Sequence, residues 1–136
     1  MRRLLIIATA LTLALALAAC GAAGAGLDGT RWVLSEIEQD GAGRTPLPGS
    51  QITLDFSAGQ AGGSSGCNSY SGSYTARGGT IAFEQLASTE MACLEAGRME
   101  QEAAYLQALM AATTFQRDAS SLTITGGGTT LRFRPA

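Results

Sequence analysis

The sequence predicts a mainly β fold (α+β): a small antiparallel, barrel-like sheet of about eight strands with one α-helix at about 95–112. Three observations carry that expectation. Beyond residue 27, short stretches alternate apolar and polar residues, and turns rich in Gly break them at close intervals. Gly62, Gly63 and Gly66 sit within one such stretch, where glycine marks bulges or close backbone approach in a sheet that must bend. Only Glu95 to Ala112 repeats its apolar residues at helical spacing.

Residues 1–19 read as a targeting segment. Arg2 and Arg3 form a short basic start, and Leu4 to Ala19 is an uncharged run of 16 residues. That is short for a bilayer span of about 20 residues and suits the apolar core of a signal peptide. The run ends in Leu17-Ala18-Ala19-Cys20, which resembles the lipobox of bacterial lipoproteins. The resemblance implies that Cys20 takes a diacylglyceryl group and becomes the first residue of the mature chain. Ordinary cleavage after Ala19 and an uncleaved anchor are the alternatives. Residues 20–26 follow as a lipidated flexible tether, because Gly and Ala alone bury too little surface to order themselves. The domain itself is expected over 27–136.

The strands follow in order. Thr30 begins the first, with Trp32, Leu34 and Glu36 on one face and Arg31, Val33, Ser35 and Ile37 on the other. Trp32 is expected as a core anchor near one end of the barrel, with ligand stacking as the alternative. Asp40 to Ser50 contains Gly and Pro throughout and reads as a loop. Gln51 to Phe56 points Ile52, Leu54 and Phe56 inward, Ser57-Ala58-Gly59 turns, and Gln60 to Ser65 returns. Tyr70, Gly72 and Tyr74 share a parity in the next strand, which Arg77-Gly78-Gly79 turns into Thr80 to Phe83. Gln85 to Thr89 has no period. In the helix, Met99, Ala103, Leu106 and Met110 define the expected core face, flanked by Tyr105 and Leu109, so the methionines read as packing and not as a metal box. Glu95, Glu100 and Glu102 crowd the positive end of its dipole. Three strands close the chain, centred on Phe115, on Leu122 with Ile124, and on Leu131 with Phe133.

Two runs carry the most specific residue types: Gly66-Cys67-Asn68-Ser69-Tyr70-Ser71-Gly72-Ser73-Tyr74, and Thr89-Glu90-Met91-Ala92-Cys93. Together with Leu27-Asp28-Gly29-Thr30-Arg31-Trp32 and the helical run Glu102 to Leu106 with Leu109, they resemble the signatures of the META domain (HslJ-like) family. The resemblance spans about Leu27 to Phe133. It implies small envelope proteins with a barrel-like β-fold and no agreed biochemical function. Members are associated with heat-shock induction, novobiocin resistance and, in a eukaryotic relative, virulence and motility. The signature positions here are Trp32, Gly66, Asn68, Tyr70, Gly72, Tyr74, Thr89 and Met91, with Cys67 and Cys93.

The residue inventory excludes much chemistry. The chain has no His, so Ser-His-Asp and Cys-His arrangements are absent along with the commonest metal ligand. No metal and no cofactor are expected. Glu84, Glu90 and Glu95 are close in sequence, but solvated loop charges explain them better than a catalytic carboxylate pair. Without Arg2 and Arg3, 7 of the 9 basic residues face 11 acidic ones, a net charge of −4. No basic cluster remains to follow a phosphate backbone, which argues against nucleic acid. Lipidation uses Cys20 and leaves Cys67 and Cys93 as an even pair in an exported domain, where oxidation is permitted. Their bridge would close a loop of about 27 residues and stabilise by roughly 3–4 kcal/mol in the chain-entropy model. A redox-active pair is the alternative, without a CxxC spacing to support it.

The expected function is therefore that of a non-enzymatic envelope lipoprotein. It is held to the membrane through its lipid, faces the periplasm or cell exterior, and acts in stress tolerance or envelope maintenance. Its partner is an envelope protein or a small ligand. The alternatives are an inhibitor of a periplasmic hydrolase, with Asp40 to Ser50 as the longest candidate loop, and a carrier of a small apolar ligand. A carrier needs an empty interior, not one filled by Trp32, Phe56, Phe83 and Phe133.

Overall fold

Alternating side chains become nine antiparallel strands of a single sheet in the computed structural model, which describes residues 26–136. In chain order these are β1 (Arg31–Gln39), β2 (Ala42–Arg44), β3 (Thr53–Ser57), β4 (Gln60–Ser64), β5 (Ser69–Arg77), β6 (Thr80–Ser88), α1 (Arg98–Met110), β7 (Thr114–Arg117), β8 (Leu122–Gly126) and β9 (Thr129–Pro135). The expected signal at 1–19, Cys20 and the tether up to residue 25 lie outside the described residues.

β1 pairs with β3 along its first half and with β9 along most of its length, so eight strands form a closed ring of hydrogen-bonded neighbours. β2 lies outside that ring, on the second half of β1. The inward side chains form one cluster in which Trp32, Phe56, Phe83 and Phe133 are all buried, together with Leu54, Ile124 and Leu131. Phe56 meets Tyr74 edge-on at 4.7 Å and lies 6.3 Å from Phe83. Tyr105 of α1 reaches in to 6.5 Å from Phe133. The interior of the ring is packed with aromatic and aliphatic side chains, the source of most of its stability.

Four expectations need correction. Strict alternation put Ile37 opposite Trp32, but Leu34 pairs with Phe133 and Glu36 with Arg132, so Ser35 is an extra residue and a bulge reverses the parity. Glu36 then points outward, 3.5 Å from Arg132, and Ile37 turns into the core. The loop at Asp40 to Ser50 contains β2, because Asp40 and Gly41, with φ of 50° and 80°, make the tight turn that folds the chain back onto β1. The aperiodic Gln85 to Thr89 is mostly strand. β6 continues to Ser88 across a register shift, and Gln85 sits there with φ of 54°. Gly72 faces this bulge. A Cβ on it would lie 2.7 Å from the Glu84 carbonyl oxygen, so only glycine lets the strands approach.

The fourth correction concerns the helix. It starts at Arg98, not 95, and buries Glu102, Tyr105, Ala108 and Leu109. Met99 and Met110, at 41% and 67%, and Ala103 are exposed, whereas Leu106 packs against the core and Tyr105 and Leu109 are buried, so only part of the expected face turns inward. The inward face combines polar with apolar residues because α1 both covers the ring, against β6, β8 and β9, and holds loop backbone. Among the described residues, no helix is long and apolar enough to cross a membrane.

Candidate functional site

Gly66, with φ of 98°, turns the chain between β4 and β5, a conformation that L side chains rarely adopt. The turn closes through the Ser65 N–H, which donates to the Asn68 carbonyl at 2.8 Å. Cys67 beside it is joined to Cys93 by a disulfide, with Cα atoms 5.9 Å apart. This brings the two signature runs together: Gly66, Cys67 and Asn68 from one, Thr89, Met91 and Cys93 from the other.

Asn68 ties them. Its side-chain N–H groups donate to the Met91 carbonyl at 3.2 Å and to Glu102 Oε1 at 2.7 Å. Its side-chain oxygen accepts from Thr89 Oγ1 at 2.8 Å and from the Met91 N–H at 2.7 Å. A primary amide has two donors and two lone pairs, so every position is engaged. Asn68 is 3% exposed, and no part of it is left to meet a ligand.

Glu102 closes the knot from the helix. Its Oε2 accepts from the Asn68 backbone N–H at 2.7 Å and from Ser65 Oγ at 2.5 Å. Burial pushes this carboxyl up. Hydrogen bonds from the Ser65 hydroxyl, the Asn68 side chain, and the backbone N–H groups of Asn68 and Cys67 outweigh it and hold the group below its ordinary value. Glu102 is therefore an ionised acceptor that serves a loop. A general base would need its lone pairs free.

Arg98, Gln101, Glu102 and Tyr105 follow one another along the same helix face and hold three further stretches of loop or strand. Arg98 donates to the Gly66 carbonyl at 3.2 Å, and Gln101 accepts from the Leu47 N–H at 2.7 Å and donates to Ser50 Oγ at 2.5 Å. The Tyr105 and Tyr70 hydroxyls are 2.6 Å apart, and Tyr70 donates to the Thr53 carbonyl at 2.8 Å. Burial raises both phenols, so the pair stays protonated and acts as a donor chain. Sequence reasoning missed these helix residues as a site. The available signal was the 98, 101, 102, 105 spacing, a helical stripe made of polar residue types.

The remaining signature residues lie elsewhere. Trp32 is buried away from the knot, its Nε1 donating to Thr30 Oγ1 at 2.8 Å and the Arg117 guanidinium 5.7 Å from its ring. Tyr74 faces Phe56 inside the ring. Glu84, Glu90 and Glu95 are exposed and converge on nothing, apart from Glu95 at 3.6 Å from Arg98. Among the described residues, no group of His, Cys, Asp or Glu has the arrangement to hold a metal ion. A cavity of about 320 Å³ lies between β2, the segment after it, and the start of α1.

The META domain family matches residues 25–136. The chain belongs to that family. Among solved structures, this META domain is similar to a protein from Burkholderia xenovorans determined by NMR, at 38% identity and a TM-score of 0.69, over 81% of this chain and 83% of that one. A second NMR structure matches at 24% identity and a TM-score of 0.64, over 80% and 91% of the two chains. A DUF4847 family protein from Bacteroides vulgatus shares the fold, at 16% identity and a TM-score of 0.55, over 82% and 95%. No curated protein matches the META domain described here.

Proposed function

We propose that this META domain protein is a cell-envelope lipoprotein, anchored through Cys20 and facing the periplasm or cell exterior, that works by binding or scaffolding in stress tolerance or envelope maintenance. The observation that carries the reading is the state of the signature residues. The chemistry-bearing groups of the knot (Asn68, Glu102, Ser65 and the Cys67–Cys93 bridge) are all engaged in holding the fold. Nothing in that arrangement offers a free nucleophile or base, which supports a surface that binds over one that catalyses.

The packed interior weighs against a carrier, since Trp32, Phe56, Phe83 and Phe133 occupy the space that an apolar ligand inside the ring would need. The inhibitor reading is one form of the binding reading and draws on the segment Asp40 to Ser50. Membrane attachment rests on the lipobox-like run ending in Cys20. Two or three acyl chains hold a domain that one chain does not, at about 0.8 kcal/mol per buried methylene. Fractionation of the wild type and Cys20→Ser tests this. Wild type is expected in the membrane fraction with an acyl mass on its first mature residue, and Cys20→Ser as soluble protein or uncleaved precursor. A soluble, unacylated wild type would falsify the anchor. Loss of survival after heat shock in a deletion strain, restored by wild type and not by Cys20→Ser, tests the physiological role.

A further inference from the structure

The strand outside the ring has an open side. Among the described residues β2 has β1 as its single strand neighbour, and its three residues are all exposed. Asp40 and Gly41 form a two-residue turn, so the closing pair of Gln39 and Ala42 exchanges both ladder bonds. In antiparallel alternation the next pair, Glu38 with Gly43, exchanges none. The N–H and C=O of Gly43 therefore point away from β1, along an edge where another strand can add.

The 320 Å³ cavity lies beside that edge, within the lower part of the range for binding pockets. Ile37, Leu47 and Ala104 give it apolar walls, with Arg44 on the strand side and Glu100 on the helix side. Neither charge takes part in the ion pairs of the described residues. Arg44 pairs with Ile37, so this face of β2 is the face that turns toward the cavity.

We propose that the β2 edge and this groove bind an extended peptide segment of another envelope protein. The segment carries a large apolar side chain flanked by one acidic and one basic residue. It adds a short strand to β2, and its backbone exchanges two hydrogen bonds with Gly43. The residues on either side of that contact fall on the cavity face. One seats its apolar side chain between Ile37, Leu47 and Ala104, and charged neighbours at strand spacing meet Arg44 and Glu100. Arg44 donates to Gln39 Oε1 at 2.9 Å but has no carboxylate partner among the described residues. A small apolar molecule would leave the Gly43 groups unpaired and supply no opposite charge to Arg44 or Glu100, so a peptide fits the site better. The inference rests on the binding reading above and names the class of partner.

Fluorescence anisotropy with the full chain in detergent micelles tests it. The probes are labelled peptides Thr-Glu-Thr-Phe-Thr-Arg-Thr and Thr-Arg-Thr-Phe-Thr-Glu-Thr, which present the two charge orders. One order is expected to bind, with a loss of about tenfold or more when Phe becomes Ala. Gly43→Pro removes the outward N–H, and Ala104→Phe fills the cavity. Each is expected to weaken binding about tenfold. Ala104→Phe should melt as wild type does, whereas a Cβ at position 43 meets the Glu36 carboxylate, so that flexible side chain has to swing aside in Gly43→Pro. Peptides N-methylated at one residue at a time remove the same bonds on unaltered protein, which covers the case in which Gly43→Pro disturbs the hairpin. Absence of binding by both peptides overturns the proposal. So does affinity unchanged by Gly43→Pro and by every N-methylation. In cells, a photocross-linking residue is placed at Arg44 and, separately, at the exposed Leu94 and Met110. Capture of an envelope protein at the latter two and not at Arg44 overturns the groove but keeps the binding reading. Capture at none of the three overturns both.

Discussion

The loop that carries Cys67 and Asn68 is bonded to the first turns of α1, and the hairpin that carries Gly43 faces those turns across the cavity; the two are held by opposite means. The loop has a disulfide, an amide with all four hydrogen-bonding positions engaged, and an ionised carboxylate beneath it. The hairpin has a tight turn and three residues paired to one strand, all of them exposed. Residue types that look most like a functional site are therefore the wiring of the fold. The free hydrogen-bonding edge belongs to a segment whose sequence, Ala42-Gly43-Arg44, attracts no notice. A buried polar group left without a partner is expensive, so a loop that leaves the sheet beneath a helix needs dedicated donors and acceptors. An exposed edge faces water and needs none.

The largest expected effect removes the covalent part of the contrast. Replacing Cys67 and Cys93 together with Ser is expected to lower stability by about 3–4 kcal/mol through the released loop entropy of the unfolded chain. Denaturant unfolding reads it. A loss below about 1 kcal/mol would mean that the knot holds the loop without its bridge. Next comes Asn68→Ala, which strands the Met91 N–H and C=O and one donor-seeking oxygen of Glu102. The expected loss is about 1–3 kcal/mol, and the folded fraction should keep its binding. An Asn68→Ala protein as stable as wild type that loses its partner would make the signature a functional site.

Glu102→Gln sharpens the comparison through pH. The native carboxyl lies below its ordinary value of 4.5, so its contribution is fully present above that pH and is lost as pH falls through the lower native value. The amide of Gln sets a donor against the Asn68 donors and is expected to cost about 1–2 kcal/mol at neutral pH. The acid loss of stability attributable to this group should then disappear. Melting curves between pH 7 and 3 decide it, and an identical acid slope in both proteins would remove Glu102 from the knot. The smallest effect belongs to the hairpin. Arg44→Ala is expected to change stability by no more than about 0.5 kcal/mol. The outward amide of Gly43 should exchange with solvent far sooner than that of Asn68, which hydrogen-exchange measurements can read.

The strands were legible wherever alternation was unbroken. Ile52, Leu54 and Phe56 face inward, as do Leu122, Ile124, Leu131 and Phe133. Legibility failed at Ser35 and Gln85, because a bulge shifts parity by one residue and depends on pairing with a distant strand. It failed again along α1. Met99 and Met110 match the spacing of a buried stripe, and so do Arg98, Gln101, Glu102 and Tyr105. Hydrophobicity alone found Tyr105, Leu106 and Leu109 but misplaced Met99 and Met110, because the carbonyls and amides that α1 has to satisfy come from loops far away in the chain.

By itself the sequence determined a mainly β domain with one helix, its family, and the group of positions that matter to the fold, because local periodicity and residue type are properties of the chain. Only the tertiary structure decided that the ring closes through β1 and β9, that Glu102 is the acceptor beneath Asn68, and that β2 pairs, among the described residues, with β1 alone. Each of these depends on which distant backbone groups come within hydrogen-bonding reach. That distance is set by the packing of the whole domain, and no short stretch of sequence contains it.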